Sequence, residues 1–421
     1  MSSVPSTSPE TPTDPTHLQG GARTKLVWSL MLTSIALYSC YTAAIAVLLP
    51  AQIALLDPEA KEGNLAIVTA ISSFATLFVQ PIVGTLSDRT RSRLGRRAPW
   101  MLGGAALGGI MLALIPVIGV NVAFIAVAWV LAQVSLNGAQ GPLSALVADR
   151  LDPNYRATAS AFMGVGGTLG MTLGVVVSGL LVNHLGLGYL FFGSIVIIGT
   201  ALLVIFNQDK SSATMPVEAF SWRDFIAGFG RPFRSGDFRW AFAQRFVMFF
   251  GYMGVTGYMF YILMSYVGLS LVEAGAFMGV QQVASSVASV VSTLVAGRLS
   301  DRIGRRKIFI LIASALIAIG CVAGWLMPTT TGILIFAVFA GLGFGSYLAV
   351  DVALVVDILP NPAETAKDLG VINIANNVPS MLAPIANAFL IGAFGYVGLW
   401  PWAIALVFTA GLLVLPIKGV K

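Results

Sequence analysis

The sequence predicts an all-α polytopic membrane protein, with twelve transmembrane helices in two pseudosymmetric six-helix bundles. Three observations predict this. The 421-residue chain is 57% hydrophobic and only 10% charged, with a mean hydropathy of +0.86; soluble proteins carry roughly a quarter charged residues. Its charges fall in clusters separated by apolar runs of about 20 residues, the length that crosses a bilayer core. A charged hairpin occurs once in each half. Gly84 to Arg97 reads GTLSDRTRSRLGRR, Gly297 to Arg306 reads GRLSDRIGRR, and Asp88 and Asp301 stand 213 residues apart. A hairpin repeated at half the chain length points to duplicated membrane-embedded halves. The alternating strands of a membrane β-barrel are not seen.

Taken in order, residues 1–25 are rich in Ser, Thr and Pro and have no apolar core. They are expected to form a disordered tail and not a signal peptide. Six apolar segments, centred near Ala36, Phe74, Gly108, Ala128, Gly170 and Ile197, make a first bundle over residues 26–206. In the fifth, Gly166, Gly170 and Gly174 recur at every fourth position and read as a close-packing face. Residues 207–238 form a polar linker with Lys210, Arg223, Arg231 and Arg234. Six further segments, centred near Val255, Val287, Leu316, Ala340, Leu382 and Val407, make a second bundle over residues 239–421. Ser270 and Glu273 fit a capping box opening the eighth helix, and Pro379 and Pro384 bend the eleventh. Cys40 and Cys321 each lie within an apolar run and read as unpaired packing thiols.

An even number of spans puts both termini on one side. Of the 24 Lys and Arg, only Lys61 falls in a loop on the other side. Basic residues favour the cytoplasm, so the termini, both hairpins and the linker are expected there, in a plasma-membrane protein. The net charge of +6 follows from this topology and does not call for a nucleic-acid partner. No cofactor or metal is expected. The partners are the lipid bilayer, a small-molecule substrate and protons, and the protein is expected to be a monomer.

Further matches keep the repeat in register. Gly95 and Gly304 are 209 residues apart, and Ala145–Asp149 (ALVAD) precedes Ala353–Asp357 (ALVVD) by 208. Through these residues the chain resembles the major facilitator superfamily, whose loop signature runs Gly-x-Leu-Ala/Ser-Asp-Arg and then Gly-Arg-Arg/Lys. Gly84, Leu86, Ser87, Asp88, Arg89, Gly95, Arg96 and Arg97 match with a longer spacer. Gly297, Leu299, Ser300, Asp301, Arg302, Gly304, Arg305 and Arg306 match the compact form. The long form followed by Ala98-Pro99-Trp100, and ALVAD followed by Arg156–Ser160, resemble the glycoside–pentoside–hexuronide symporters and plant sucrose transporters. The superfamily resemblance covers residues 26 to 418. It implies alternating access around a midplane site and a gating role for Asp88, Arg89, Asp301 and Arg302, with Gly84, Arg96, Arg97, Gly297 and Arg305 in the same motifs.

The physical reading of the hairpin agrees. Gly84 lets helix 2 approach a neighbour closely, and Asp88 accepts hydrogen bonds from a helix N-terminus or pairs with an arginine. Such contacts would hold the cytoplasmic face of one bundle against the other and break as the protein rocks. A purely topogenic loop would need its arginines, but not an aspartate after Gly-x-Leu-Ser in both halves.

Asp351 is the most informative intramembrane charge. It lies six residues before Asp357, about 9 Å deeper along a helix, where an unpaired carboxylate costs up to roughly 2.5–3.5 kcal/mol. Arg245 in helix 7 is its candidate partner, since helices 1, 4, 7 and 10 line the cavity in the family it resembles. Two readings stay open: a pair that couples proton uptake or substrate contact to transport, and a fixed structural pair or an Arg245 that snorkels. The other cavity candidates are neutral. Tyr38 and Tyr41 lie in helix 1, Asn137 and Gln140 in helix 4, Tyr258 in helix 7, Gln281 and Gln282 in helix 8, and Asn373, Asn376 and Asn377 in helix 11. Amides and phenols donate and accept hydrogen bonds, and aromatic faces cover the apolar faces of sugars. The same groups also serve as interhelical hydrogen bonds.

The resembled cation symporters use acids in helices 2 and 4. Helix 2 reads as having none, and helix 4 has none before Asp149. Helix 5 lacks the Gly-Pro pair of the superfamily's antiporters. Two histidines, His17 and His184, and the lack of a phosphate loop leave no enzyme constellation. The expected function is secondary transport of a small neutral solute, a sugar or glycoside, by proton symport. The alternatives are efflux of small amphipathic compounds and, from another class, a receptor or scaffold that does not transport.

Overall fold

The computed structural model describes residues 18–213, 232–358, 372 and 374–419. Among these, eleven helices are long and apolar enough to cross a membrane, and one bent pair makes a twelfth span. The first half contains α1 (Gly20–Leu56), α2 (Lys61–Leu77 continued by Val79–Arg89), α3 (Ala98–Ile118), α4 (Val122–Arg150), α5 (Pro153–Leu180) and α6 (Leu185–Phe206). The second contains α7 (Gly236–Tyr266), α8 (Leu271–Ile303), α9 (Arg306–Leu326), α10 (Thr330–Ile358), α11 (Ile374–Phe394) and α12 (Leu399–Leu413). No strand occurs among the described residues.

Helix ends follow local chemistry. Asn121, Asp152 and Ser235 accept from the backbone amides of Phe124, Asn154 and Phe238, capping α4, α5 and α7. The Ser270–Glu273 capping box opens α8 as expected, and Gly304 closes it at a φ of 67°, a left-handed conformation that glycine adopts at no steric cost. Lys61–Leu77 and Ile82–Arg89 of α2 meet at 42°, and Pro81 between them has no amide hydrogen to donate to the preceding turn.

Two expectations need correction. Gly20 to Lys25, assigned to a disordered tail, form the start of α1. Tertiary contacts offset their weak apolar character: the Leu18 amide donates to the Arg150 carbonyl, and Arg23 lies 3.5 Å over the Tyr155 ring. The fourth helix is centred well beyond Ala128, because it runs to Arg150 through Gln133, Asn137 and Gln140. Those amides lower hydropathy but lie within the bundle.

Packing within each half repeats. Helix α1 packs on α5 and α6, α3 on α4 and α6, and α2 on α4; in the second half α7 packs on α11 and α12, α9 on α10 and α12, and α8 on α10. The α1–α5 seam uses the glycine row. A methyl group added at Gly166, Gly170 or Gly174 would sit 2.5, 2.6 or 2.5 Å from the carbonyl oxygens of Met31, Ile35 and Ser39. Both rows advance by four residues, so the helices mesh backbone to backbone. Between halves, the first segment of α2 packs along α11 and α5 packs along α8. Near the face away from the hairpins Gly179 and Gly275 meet, and a methyl group on Gly179 would lie 2.1 Å from the Gly275 carbonyl oxygen. The second segment of α2 packs on α4 of its own half.

Gly170→Val is expected to destabilise the fold by about 1–3 kcal/mol, the usual effect of overpacking. Gly164→Ala, where nothing lies within 4 Å of the added methyl, is expected to be neutral. Thermal unfolding in detergent distinguishes them.

Candidate functional site

The two hairpins build the same cluster. In the first, Arg97 lies 2.6 Å from Asp88 and 2.8 Å from Asp149, Arg96 lies 2.6 Å from Asp149, and Arg97 donates to Ser87 at 2.5 Å. In the second, Arg306 lies 2.5 Å from Asp357 and 3.6 Å from Asp301. Arg97 and Arg306 share the 209-residue offset of the two hairpin glycines. Each arginine therefore ties the carboxylate ending the second helix of its half to the one ending the fourth. The four extra residues of the first hairpin seat the start of the linker. Ser212 donates through its amide to the Ser92 carbonyl at 3.0 Å and through its hydroxyl to the Thr90 carbonyl at 2.9 Å.

Three details depart from expectation. Among the described residues these ion pairs lie within one half and not between bundles, and the side chains of Asp88 and Asp301 are 54% and 73% exposed. Gly84 makes no close approach, with nothing within 4 Å of an added methyl, and Gly297 comes only to ordinary contact with Ala349 at 3.9 Å. In the second hairpin Arg306, not Arg305, carries the cluster, while Arg302 and Arg305 are exposed. Arg89 is the last residue of α2.

Deeper in the second half, Arg245 and Asp351 meet. Arg245 Nη1 lies 2.6 Å from Asp351 Oδ2, with both side chains buried. Tyr347 donates to Asp351 Oδ1 at 2.8 Å, and Arg245 Nε donates to Asn376 Oδ1 at 2.6 Å. The Phe249 ring lies beneath the guanidinium at 5.9 Å. One cluster thus pins α7, α10 and α11 near the hairpin side. Asn376, expected to face a solute, is a partner of Arg245. Asn377 is exposed, and Asn373 lies outside the described residues.

The first half carries a cleft of about 330 Å³ between α1, α4 and α5. Ser34, Tyr38, Gln140, Ser144, Ser160 and Thr168 supply its polar lining, and no ionisable carboxylate, amine or guanidinium lines it. Gln140 donates to the Tyr38 hydroxyl at 2.9 Å and accepts from Tyr41 at 3.4 Å. Asn137 donates to Gln133 Oε1 at 3.0 Å and accepts from Gln80 at 3.4 Å. Sequence reasoning missed Gln80, which lies just after the break in α2, and the small hydroxyls Ser144 and Ser160, which carry no distinctive pattern. Where α5 packs on α8, Gln282 donates to Ser286 at 3.1 Å, and Ser286 is 2.8 Å from Thr172 of α5. Gln281 is buried, with its amide 3.8 Å from the Met278 sulfur.

At the face away from the hairpins, Glu62 corrects the reading of an acid-free helix 2. That helix begins at Lys61, so Glu62 sits in its first turn; the loop was read as longer than it is. Tyr258, expected in the cavity, lies here instead. It is buried and within 2.9 Å of the Glu62 carbonyl and 3.1 Å of the Pro384 carbonyl.

Removing one partner of the buried Arg245–Asp351 pair is expected to cost about 3–5 kcal/mol by stranding the other charge. In a double-mutant cycle with Arg245→Gln and Asp351→Asn, scored by unfolding in detergent, the double variant should lose less than the sum of the singles.

A sequence profile of the Major Facilitator Superfamily matches residues 27–293 and 278–418. Sucrose transport protein SUC4 of Arabidopsis thaliana is 33% identical over 153 residues, 29% of this chain and 29% of that protein. Sucrose transport protein SUC3 of the same plant is 33% identical over 156 residues, 29% of this chain and 26% of that protein. An uncharacterized symporter of Synechocystis sp. is 83% identical over 47 residues, 11% of this chain and 8% of that protein. The matches thus span less than a third of each relative. Among solved structures, the nucleoside transporter NupG superposes with a TM-score of 0.73 at 14% identity, covering 92% of this chain and 99% of that one. A D-xylose-proton symporter superposes with a TM-score of 0.71 at 15% identity, covering 95% and 100%. At such identities the structures establish the fold alone. With the profile running through both halves, the hairpin repeated in each and the twelve-span architecture shared with these transporters, the chain belongs to the major facilitator superfamily of membrane transporters.

Proposed function

We propose that this transporter moves a neutral sugar or glycoside across the plasma membrane by alternating access, in symport with protons. The observation that carries the reading is the cleft between α1, α4 and α5, whose polar lining is hydroxyls, an amide and a phenol without a charged side chain. That set matches a polyhydroxylated solute, because each group both donates and accepts. Similarity to sucrose transport proteins supports the same class.

Basic residues favour the cytoplasm, which puts the hairpin face on the inner side in this reading. On this reading Asp88, Arg89, Arg96, Arg97, Asp301, Arg302 and Arg305, with Gly84 and Gly297, belong to the gate that closes that face. The Arg245–Asp351 pair supplies the coupling. A proton on Asp351 removes the charge that holds Arg245, and Arg245 in turn holds Asn376 of α11. Protonation therefore loosens three helices that the charged state pins together.

Entrance counterflow in proteoliposomes tests the substrate class. Vesicles loaded with an unlabelled mono- or disaccharide should take up trace labelled sugar, and Gln140→Ala should raise the half-saturating concentration roughly two- to tenfold, the value of one net hydrogen bond. Absence of counterflow across a sugar panel, in folded protein, would overturn the sugar assignment and bring export of amphipathic compounds forward. Asp351→Asn should keep counterflow, which needs no net proton movement, and lose accumulation driven by an inward proton gradient. Wild-type accumulation by that variant would remove Asp351 from coupling.

A further inference from the structure

Among the described residues, the ion pairs of the hairpin face are made within each half, whereas the face opposite carries polar contacts from one half to the other. The first turn of α2 provides them. Tyr396, at the α11–α12 corner, donates its hydroxyl to Glu62 Oε1. Lys61 Nζ donates to Ser265 of α7 at 2.8 Å and lies 3.9 Å from Glu62 Oε1 and 5.5 Å from the Tyr261 ring centroid. The Tyr258 hydroxyl, with its single proton, is shared between the carbonyl oxygens of Glu62 and Pro384 at 2.9 and 3.1 Å. Tyr261 donates to the Pro50 carbonyl of α1 at 3.0 Å.

We infer that Lys61 and Glu62, with Tyr258, Tyr261, Ser265 and Tyr396 of the other half, form the latch that closes the face opposite the hairpins, with the Glu62 carboxylate as its central acceptor. Three features make it a latch and not part of a fixed core. Apart from the Lys61–Glu62 contact inside α2, the partners of α1 and α2 in the cluster belong to the other half, so opening this face separates them together. Lys61 and Glu62 keep 16% and 19% of their side-chain surface exposed, so water replaces the lost partners when the halves part. The net cost of breaking each contact is then small and the closure reversible. The turn is also held from its own side. Asp57 accepts from the Ala60 amide at 3.1 Å and from the Asn64 side chain at 2.9 Å, which presents Lys61 and Glu62 to the other half whether or not it is docked.

The test measures the opening itself and needs no substrate, so its outcome is independent of the sugar assignment. Nitroxide labels on Val120→Cys, after α3, and Leu326→Cys, ending α9, sit at exposed positions of the two halves on this face; Cys40 and Cys321 are buried. Pulsed dipolar spectroscopy on the full chain in lipid nanodiscs should give one dominant distance with the latch intact. Glu62→Ala and Tyr396→Phe should each raise the ratio of a longer, open population by roughly two- to tenfold, the value of one net hydrogen bond. Glu62→Gln, which retains an accepting oxygen, should restore most of the closed population. Tyr396→Phe removes a single oxygen, and if it leaves the native distribution unchanged the latch assignment is overturned. Glu62→Gln opening as fully as Glu62→Ala would overturn the role of Glu62 as acceptor.

Discussion

The structure depends on one constraint: a charge surrounded by apolar atoms has to find an opposite charge or water. A lone carboxylate at the centre of a span costs roughly 2.5–3.5 kcal/mol on insertion scales. Asp351 meets the constraint through Arg245 and Tyr347, and in doing so ties α7, α10 and α11 together. Arg97 and Arg306 meet it at the hairpin boundary by bridging aspartates at the ends of the second and fourth helices of their halves. With so few charges in the chain, each pair also fixes where helices converge.

This distribution explains how two similar halves present different faces. Among the described residues, the ion pairs of the hairpin clusters lie within their own bundles. The opposite face joins the halves through Glu62, Lys61 and the tyrosines around them. Helix α2 is broken: its first segment packs on α11, and Ile82–Arg89, which carries Asp88, lies at 42° to it.

Much of this was legible in the sequence, and for physical reasons. The spans appear because apolar length is set by bilayer thickness, and the duplication because Asp88, Gly95 and Asp149 recur in register as Asp301, Gly304 and Asp357. The Arg245–Asp351 pair was readable because isolated intramembrane charges have few possible partners. Contacts between halves were not readable. Tyr258 looked like any cavity phenol until α2 placed the Glu62 carbonyl beside it, and Asn376 looked like a solute ligand until Arg245 reached it. Glu62 was missed because the α1–α2 loop is shorter than its polar composition suggests. Which of Arg305 and Arg306 carries the second cluster depends on helix phase at a boundary, which adjacent identical residues do not reveal.

The central claim is that the neutral cleft is the solute pathway and is reached from one face at a time. The most direct measurement is thiol accessibility at Ser144→Cys, a cleft-lining position six residues before the end of α4. Vesicles of both orientations would be treated with a membrane-impermeant maleimide. The account predicts labelling mainly from the hairpin face, slowed by the sugar that supports counterflow. Equal labelling from both faces, or labelling that no transported sugar affects, would contradict it.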